Sequence, residues 1–147
     1  MEKDTVSYAH AQYRIWIHLS LKVKYTHEVF EIREFREACQ DLMIEIFEKH
    51  KIEYDTIGFD SNHFHVILDM ALWKVSDLVK VIKGTSGKKL LKKFPGIKKK
   101  YFYGSGFWSG TKYVYSIGRD KESMRKYVAK QRFFRVTKDQ TTLLEFA

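Results

Sequence analysis

Tyr13, Ile15, Ile17, Leu19 and Leu21 face one way along the chain, and Arg14, Trp16, His18 and Ser20 face the other. That period of two predicts a half-buried strand over Tyr13 to Leu21. From Ile32 the period changes. Ile32, Phe35, Ala38, Cys39, Leu42, Met43, Ile46 and Phe47 recur at helical spacing, which predicts an amphipathic helix ending near His50. Ile52 to Phe59 and His63 to Leu68 read as two further strands, with turn chemistry in Asp60-Ser61-Asn62 between them. Ser76 is a candidate N-cap for a second helix with Leu78, Val79 and Ile82 inward. Gly84-Thr85-Ser86-Gly87 is expected to weaken or kink it, because glycine costs about 1 kcal/mol against alanine in a helix. Lys88 to Phe94 resumes it and Pro95-Gly96 ends it. Residues 96–110 read as an aromatic loop and Lys112 to Ile117 as a short strand. Asp120 is placed to cap a last helix carrying Tyr127. From Phe133 onward the pattern assigns nothing.

The order strand, helix, strand, strand, helix, strand predicts an α+β fold: a ferredoxin-like four-stranded antiparallel sheet with two helices on one face, plus a C-terminal helix carrying the tyrosine. At 147 residues the whole chain, 1–147, is expected to be one domain. Its 44% hydrophobic and 16% aromatic content suffices for a core.

Charge adds a location. Between Lys74 and Lys100 there are ten lysines and one acid, so this segment carries a formal +9, the net charge of the entire chain. A concentrated basic stripe suits a polyanionic partner, since neutralised phosphates release counterions; a solvated helix face is the bland alternative. Lys83, Lys88, Lys89, Lys92 and Lys93 are the candidate DNA contacts. Among the aromatics of the loop, Tyr101, Phe102, Tyr103, Phe107 and Trp108 suit either base stacking or burial, with burial favoured for Phe107 and Trp108. Cys39 is the only cysteine, sits in a helical apolar pattern, and reads as a buried inert thiol. No apolar run approaches the roughly 18–20 residues that span a bilayer. A reducing, cytoplasmic setting and no membrane partner are therefore expected.

The candidate chemistry lies in His63-Phe64-His65 with Tyr127 and Gln131. Histidines at i and i+2 of a strand share a face, as do a tyrosine and a glutamine at i and i+4 of a helix. If the faces meet, two imidazoles and an amide oxygen would hold a divalent metal with open positions, beside a tyrosine hydroxyl. Each piece alone has an ordinary explanation: a structural His-x-His, a packed tyrosine, a solvated glutamine. His10, His18, His27 and His50 have no comparable partners and read as surface or packing residues; His18 is the best of them, sharing a strand face with Trp16 and Ser20.

These residues resemble the small single-strand DNA transposases of the insertion-sequence-two-hundred family, part of the His-hydrophobe-His endonuclease group. His63-Phe64-His65 stands at the histidine motif. Tyr127-Val128-Ala129-Lys130-Gln131 looks like the single catalytic tyrosine with a glutamine ligand four residues on. Lys22-Val23-Lys24-Tyr25, Leu78 to Gly84, Gly106-Phe107-Trp108-Ser109 and Tyr113-Val114 fall in family order between Tyr13 and Gln131. Asn62 departs from it, standing where relatives often place an acid; Asp60 is nearby. The resemblance implies Tyr127 as nucleophile and His63, His65 and Gln131 as ligands of Mg²⁺ or Mn²⁺. It also implies cleavage and rejoining of single-stranded DNA through a 5′-phosphotyrosine at hairpin-containing element ends. It further implies a prokaryotic homodimer in which the tyrosine helix acts in trans. Two alternatives share the fold: a domesticated relative that processes chromosomal repeats, and a non-catalytic single-stranded nucleic-acid-binding module. The second is disfavoured because the central strand lacks the aromatic pattern of RNA-recognition motifs.

Overall fold

The computed structural model describes residues 6–8, 11–131 and 134–137. A small hairpin comes first, β1 (Val6–Tyr8) against β2 (Ala11–Tyr13). The main sheet follows: β3 (Trp16–Val23), β4 (Tyr54–Asp60), β5 (His63–Asp69), β6 (Trp108–Gly118) and β7 (Phe134–Thr137). Its order is β6-β3-β5-β4-β7, with all pairs antiparallel. The helices are α1 (Arg33–Lys49), α2 (Val75–Lys93), α3 (Pro95–Tyr101) and α4 (Lys121–Lys130). Among the described residues no helix is long and apolar enough to cross a membrane.

The expected four-stranded sheet is thus present as β6-β3-β5-β4, and β7 extends it by one edge strand. The predicted first strand divides: Tyr13 closes the hairpin, and the sheet strand starts at Trp16. Alternation then sorts the side chains. Ile17, Leu19, Leu21 and Val23 of β3 join Phe64, Val66 and Leu68 of β5 in the main core. Phe35, Cys39, Met43 and Phe47 of α1 and Leu78, Ile82 and Leu90 of α2 close over them. Trp16 and Ile67 point to the opposite face, where Met124 and Val128 of α4 cover them. The two sheet faces are therefore covered unequally, by a broad helical layer and by one short helix.

Three helix expectations change. α2 starts at Val75, with Lys74 as N-cap and no side-chain cap bond, so Ser76 does not cap it. The helix also runs unbroken through Gly84 and Gly87. At Gly87 an added Cβ would come within 3.4 Å of the Trp108 ring, and the neighbouring Ser86 hydroxyl accepts the Trp108 indole N–H at 2.9 Å. The small residues let helix and indole approach closely, and that packing outweighs glycine's poor propensity. Pro95 does end α2, but it also occupies the first turn of α3, so the start of the expected loop is helical. Asp120 caps α4 as expected, accepting the Ser123 backbone N–H at 2.7 Å.

Candidate functional site

β5 delivers His63 and His65 to the face opposite the main core, with the wholly buried Phe64 between them pointing inward. The two imidazoles lie nearly parallel, 21° apart, with centroids separated by 6.0 Å. The hairpin turn supplies a partner for each. His63 donates from Nδ1 to Asn62 Oδ1 at 2.6 Å, and His65 donates from Nε2 to Asp60 Oδ2 at 2.8 Å. Asn62 thus orients one histidine and Asp60 the other. Burial lowers the pKa of both rings, against the pull of Asp60, so both are neutral at pH 7.

Tyr127 reaches this pair through a residue that sequence reasoning set aside. His18 of β3 is nearly fully buried. Its Nε2 lies 3.0 Å from His65 Nδ1, and its Nδ1 lies 2.7 Å from the Tyr127 hydroxyl. Desolvation, then the neighbouring His65, drive its pKa down to about 4. Neutrality fixes the direction of the chain. The Asp60 carboxylate can only accept, so His65 carries its proton on Nε2 and accepts at Nδ1. His18 then donates from Nε2 and accepts at Nδ1, and the tyrosine O–H donates to it. Tyr127 therefore touches His18, His18 touches His65, and His65 touches Asp60. His18 is not a surface or packing residue but the link between the tyrosine and the histidine pair.

The missing signal was register. Ser20 stands opposite His65, which puts His18 on the diagonal of the same face, within reach of a long or aromatic side chain. Alternation gave the face; only strand pairing gives the neighbour. Among the other histidines, His27 packs on Tyr101 and His50 on Trp73; His10 lies outside the described residues.

Gln131 is the C-cap of α4, and its backbone N–H donates to Val128 O at 3.1 Å. Its φ of −77° is close to helical, so its side chain still leaves the backbone in the helical i+4 direction from Tyr127; ψ of 139° then turns the chain away. Burial, then Tyr115, raise the Tyr127 pKa, so the resting nucleophile candidate is a neutral phenol.

The donor set suits a metal in one specific way. The Asn62 bond occupies His63 Nδ1 and leaves its Nε2 lone pair for ligation, the usual outer-shell arrangement for a metal-binding histidine. Among the described residues no three His, Cys, Asp or Glu side chains form a ligand group. The Gln131 amide is the neutral oxygen that could serve as a third protein donor.

The lysine candidates separate. Lys88, Lys89, Lys92 and Lys93 are exposed on α2, and Lys89 lies 4.0 Å from Glu45 of α1. Lys83 is half-buried, donates to the Ser109 carbonyl at 2.5 Å, and has its pKa lowered by desolvation and by Lys112. Of the loop aromatics, Phe102, Phe107 and Trp108 are buried, and Tyr103 is the most exposed.

Known proteins give the same frame. A family model described as "Transposase IS200 like" matches residues 11–131. The ISDra2 transposase TnpA of Deinococcus radiodurans is 25% identical over 121 residues, covering 81% of this chain and 85% of that protein. Among solved structures, a protein of the same organism described as a candidate transposase superposes with a TM-score of 0.67 at 22% identity, covering 90% of this chain and 98% of that one. A REP-associated tyrosine transposase bound to a REP hairpin superposes at 0.52 with 13% identity, over 84% of this chain and 68% of that one. The ordered motifs, the sheet with its tyrosine helix and the family match agree: this chain belongs to the IS200-like transposase family.

Proposed function

We propose that this transposase cleaves and rejoins single-stranded DNA at insertion-sequence ends through a covalent 5′-phosphotyrosine, with Tyr127 as nucleophile and His63, His65 and Gln131 as ligands of Mg²⁺ or Mn²⁺. The observation that carries the reading is the hydrogen-bonded line from Tyr127 through His18 to His65. It ties the one candidate nucleophile to the histidine pair. A binding module has no need of that contact.

In the proposed reaction the Tyr127 oxygen forms a bond to phosphorus and the P–O3′ bond breaks. The phenolic proton leaves the tyrosine, and the departing 3′ oxygen ends as a hydroxyl. Attack by a 3′-hydroxyl on the phosphotyrosine reverses the step, and no nucleotide cofactor is needed because the phosphodiester energy is kept. A divalent ion bound by the histidines would supply Lewis-acid polarisation of the scissile phosphate. The residues contribute orientation. His18 holds the hydroxyl, and Asn62 holds His63 with Nε2 presented. The imidazole line can run either way. With the His65 proton on Nε2, as here, the tyrosine donates. With that proton on Nδ1, His65 Nε2 would give up its bond to Asp60 and could hold the ion; His65 would then donate to His18 and His18 to the tyrosine oxygen, which favours the phenolate.

The tyrosine meets His18 of its own chain. The homodimer with the helix in trans remains an expectation of the resemblance, and exchange of α4 between two copies would reproduce the same bonds.

The test is a covalent-adduct assay on single-stranded DNA from the flanks of the protein's own gene, with Mg²⁺, Mn²⁺ or chelator. A metal-dependent, denaturant-resistant band that disappears in Tyr127→Phe is expected, with DNA binding nearly unchanged. A band that persists in that variant would overturn the assignment of the nucleophile.

A further inference from the structure

Asp60 is the last residue of β4, and the strand register sets it directly opposite His63 of β5. Residues opposed across an antiparallel pair project to one face, so the Asp60 carboxylate stands on the surface that carries both histidines. Its Oδ2 lies 2.8 Å from His65 Nε2. Its charge also acts on His63 and on His18. One carboxylate is therefore felt by all three rings.

As an orienting partner alone, Asp60 is in the wrong place. A histidine ligand is ordinarily held through the nitrogen that does not bind the metal, as Asn62 holds His63 through Nδ1. Asp60 meets His65 at Nε2 instead. The other nitrogen of that ring, Nδ1, is engaged by His18. Nε2 is thus the nitrogen left for an ion, and the carboxylate stands directly before it.

An arriving ion must either expel the carboxylate or bind it, and distance favours binding. Two donors at right angles on an octahedral ion, each about 2.1 Å from it, are about 3.0 Å apart. Asp60 Oδ2 and His65 Nε2 are already 2.8 Å apart, close to the spacing of adjacent corners. Charge favours binding too. Two imidazoles and an amide bring no charge to a dication, and carboxylate oxygen is the donor that Mg²⁺ and Mn²⁺ favour. Among the described residues these side chains do not yet converge as a group of three, so one of them turns as the ion enters. Asp60, with its side chain 50% exposed, has the room to do so.

We propose that Asp60 is a further ligand of the divalent ion, exchanging its bond to the His65 N–H for a bond to the metal. The proton leaves Nε2 in the tautomer change described above. The inference rests on the histidine metal site proposed above and adds a charged donor to it.

The experiment measures Mn²⁺ binding to the DNA-free protein by electron paramagnetic resonance. Water-proton relaxation counts the waters on the bound ion, and pulsed resonance detects the imidazole nitrogens. Wild type, Asp60→Asn, Asp60→Ala and the double variant His63→Ala/His65→Ala are compared, each checked for folding by thermal melting. The wild type is expected to bind without DNA, since these donors come from the chain alone. Both Asp60 variants should bind at least about tenfold more weakly, the low end for losing even an outer-shell partner. The ion held by Asp60→Ala should gain one water while both imidazole couplings persist. A structural or long-range charge effect would leave the water count unchanged. That result, unchanged affinity, or no binding by the wild type would overturn the proposal. Mn²⁺ binding that also survives His63→Ala/His65→Ala would instead overturn the histidine site itself.

Discussion

Replacing His18 with leucine removes the bridge between Tyr127 and His65 while keeping a buried side chain of comparable bulk. Two hydrogen bonds, of 2.7 and 3.0 Å, are lost. The Tyr127 hydroxyl is only half-buried and can turn to water, so its loss costs about 0.5–1 kcal/mol. His65 Nδ1 is buried and left without this partner, which costs about 1–3 kcal/mol. The sum is about 1.5–4 kcal/mol near pH 7.5, or a melting point lower by about 3–15 °C for a chain of this size. Acid narrows the gap. His18 is faced by His65 on β5, Tyr115 on β6 and Tyr127 on α4, with Asp60 beyond. No net cation offset replaces its lost solvation, and its folded pKa of about 4 lies below the unfolded value of 6.5. Above pH 6.5 both states are neutral and nothing is lost. As the pH falls from 6.5 toward 4 the unfolded chain takes up the proton first, so the wild type loses about 3 kcal/mol through this residue. The leucine variant has no such group. Chelator-treated protein melted at pH 7.5 and at pH 4.5 should therefore show a gap that shrinks or vanishes in acid. An equal gap at both values would mean that the His18 ring is not held neutral by the fold.

Other perturbations follow from single contacts. Mixing Tyr127→Phe subunits with His65→Ala subunits should yield no adduct if the tyrosine acts on its own chain; recovered adduct would show helix exchange between copies. Ser86→Ala orphans the Trp108 indole N–H in the core and should cost about 1–3 kcal/mol, read as a shifted denaturant midpoint. Arg14→Ala removes a buried guanidinium from Glu53 and from the buried Asp69 carboxylate; a loss of about 3 kcal/mol is expected, and a loss under 1 kcal/mol in chemical denaturation would discount the pairing. Cys39 is fully buried with its thiol pKa pushed upward, so a thiol reagent should label it only after unfolding.

What could be read from the chain and what could not divide along a physical line. Periodicity reports which face of an element is apolar. It therefore placed the core side of α1 and put both motif histidines on one surface. It does not report which elements are neighbours. His18 was on the right face throughout, yet its meaning depends on Ser20 lying opposite His65, a matter of register. The four residues of β7 are too few for alternation to register at all. Gly84 and Gly87 have identical local propensity, yet only Gly87 has its reason in another element, the indole of Trp108 packed against it. Asp120, by contrast, was legible because an N-cap is satisfied within its own four residues.

The sheet order carries a consequence for the tyrosine helix. β6, which leads into α4, is one edge of the sheet, and β7, which follows α4, is the other. Four inter-strand gaps of about 4.8 Å separate them, roughly 19 Å in all. The ten residues of α4 span about 15 Å, so helix and short connections reach across the sheet from rim to rim. α4 is thus a strap anchored at both ends, passing over the histidines, rather than an arm hinged at one. A helix that left its own sheet for another copy would have to unzip β7 from β4 or carry it along. Any exchange between two subunits would then transfer helix and strand as one piece, and the seam between β4 and β7 sets how readily it opens.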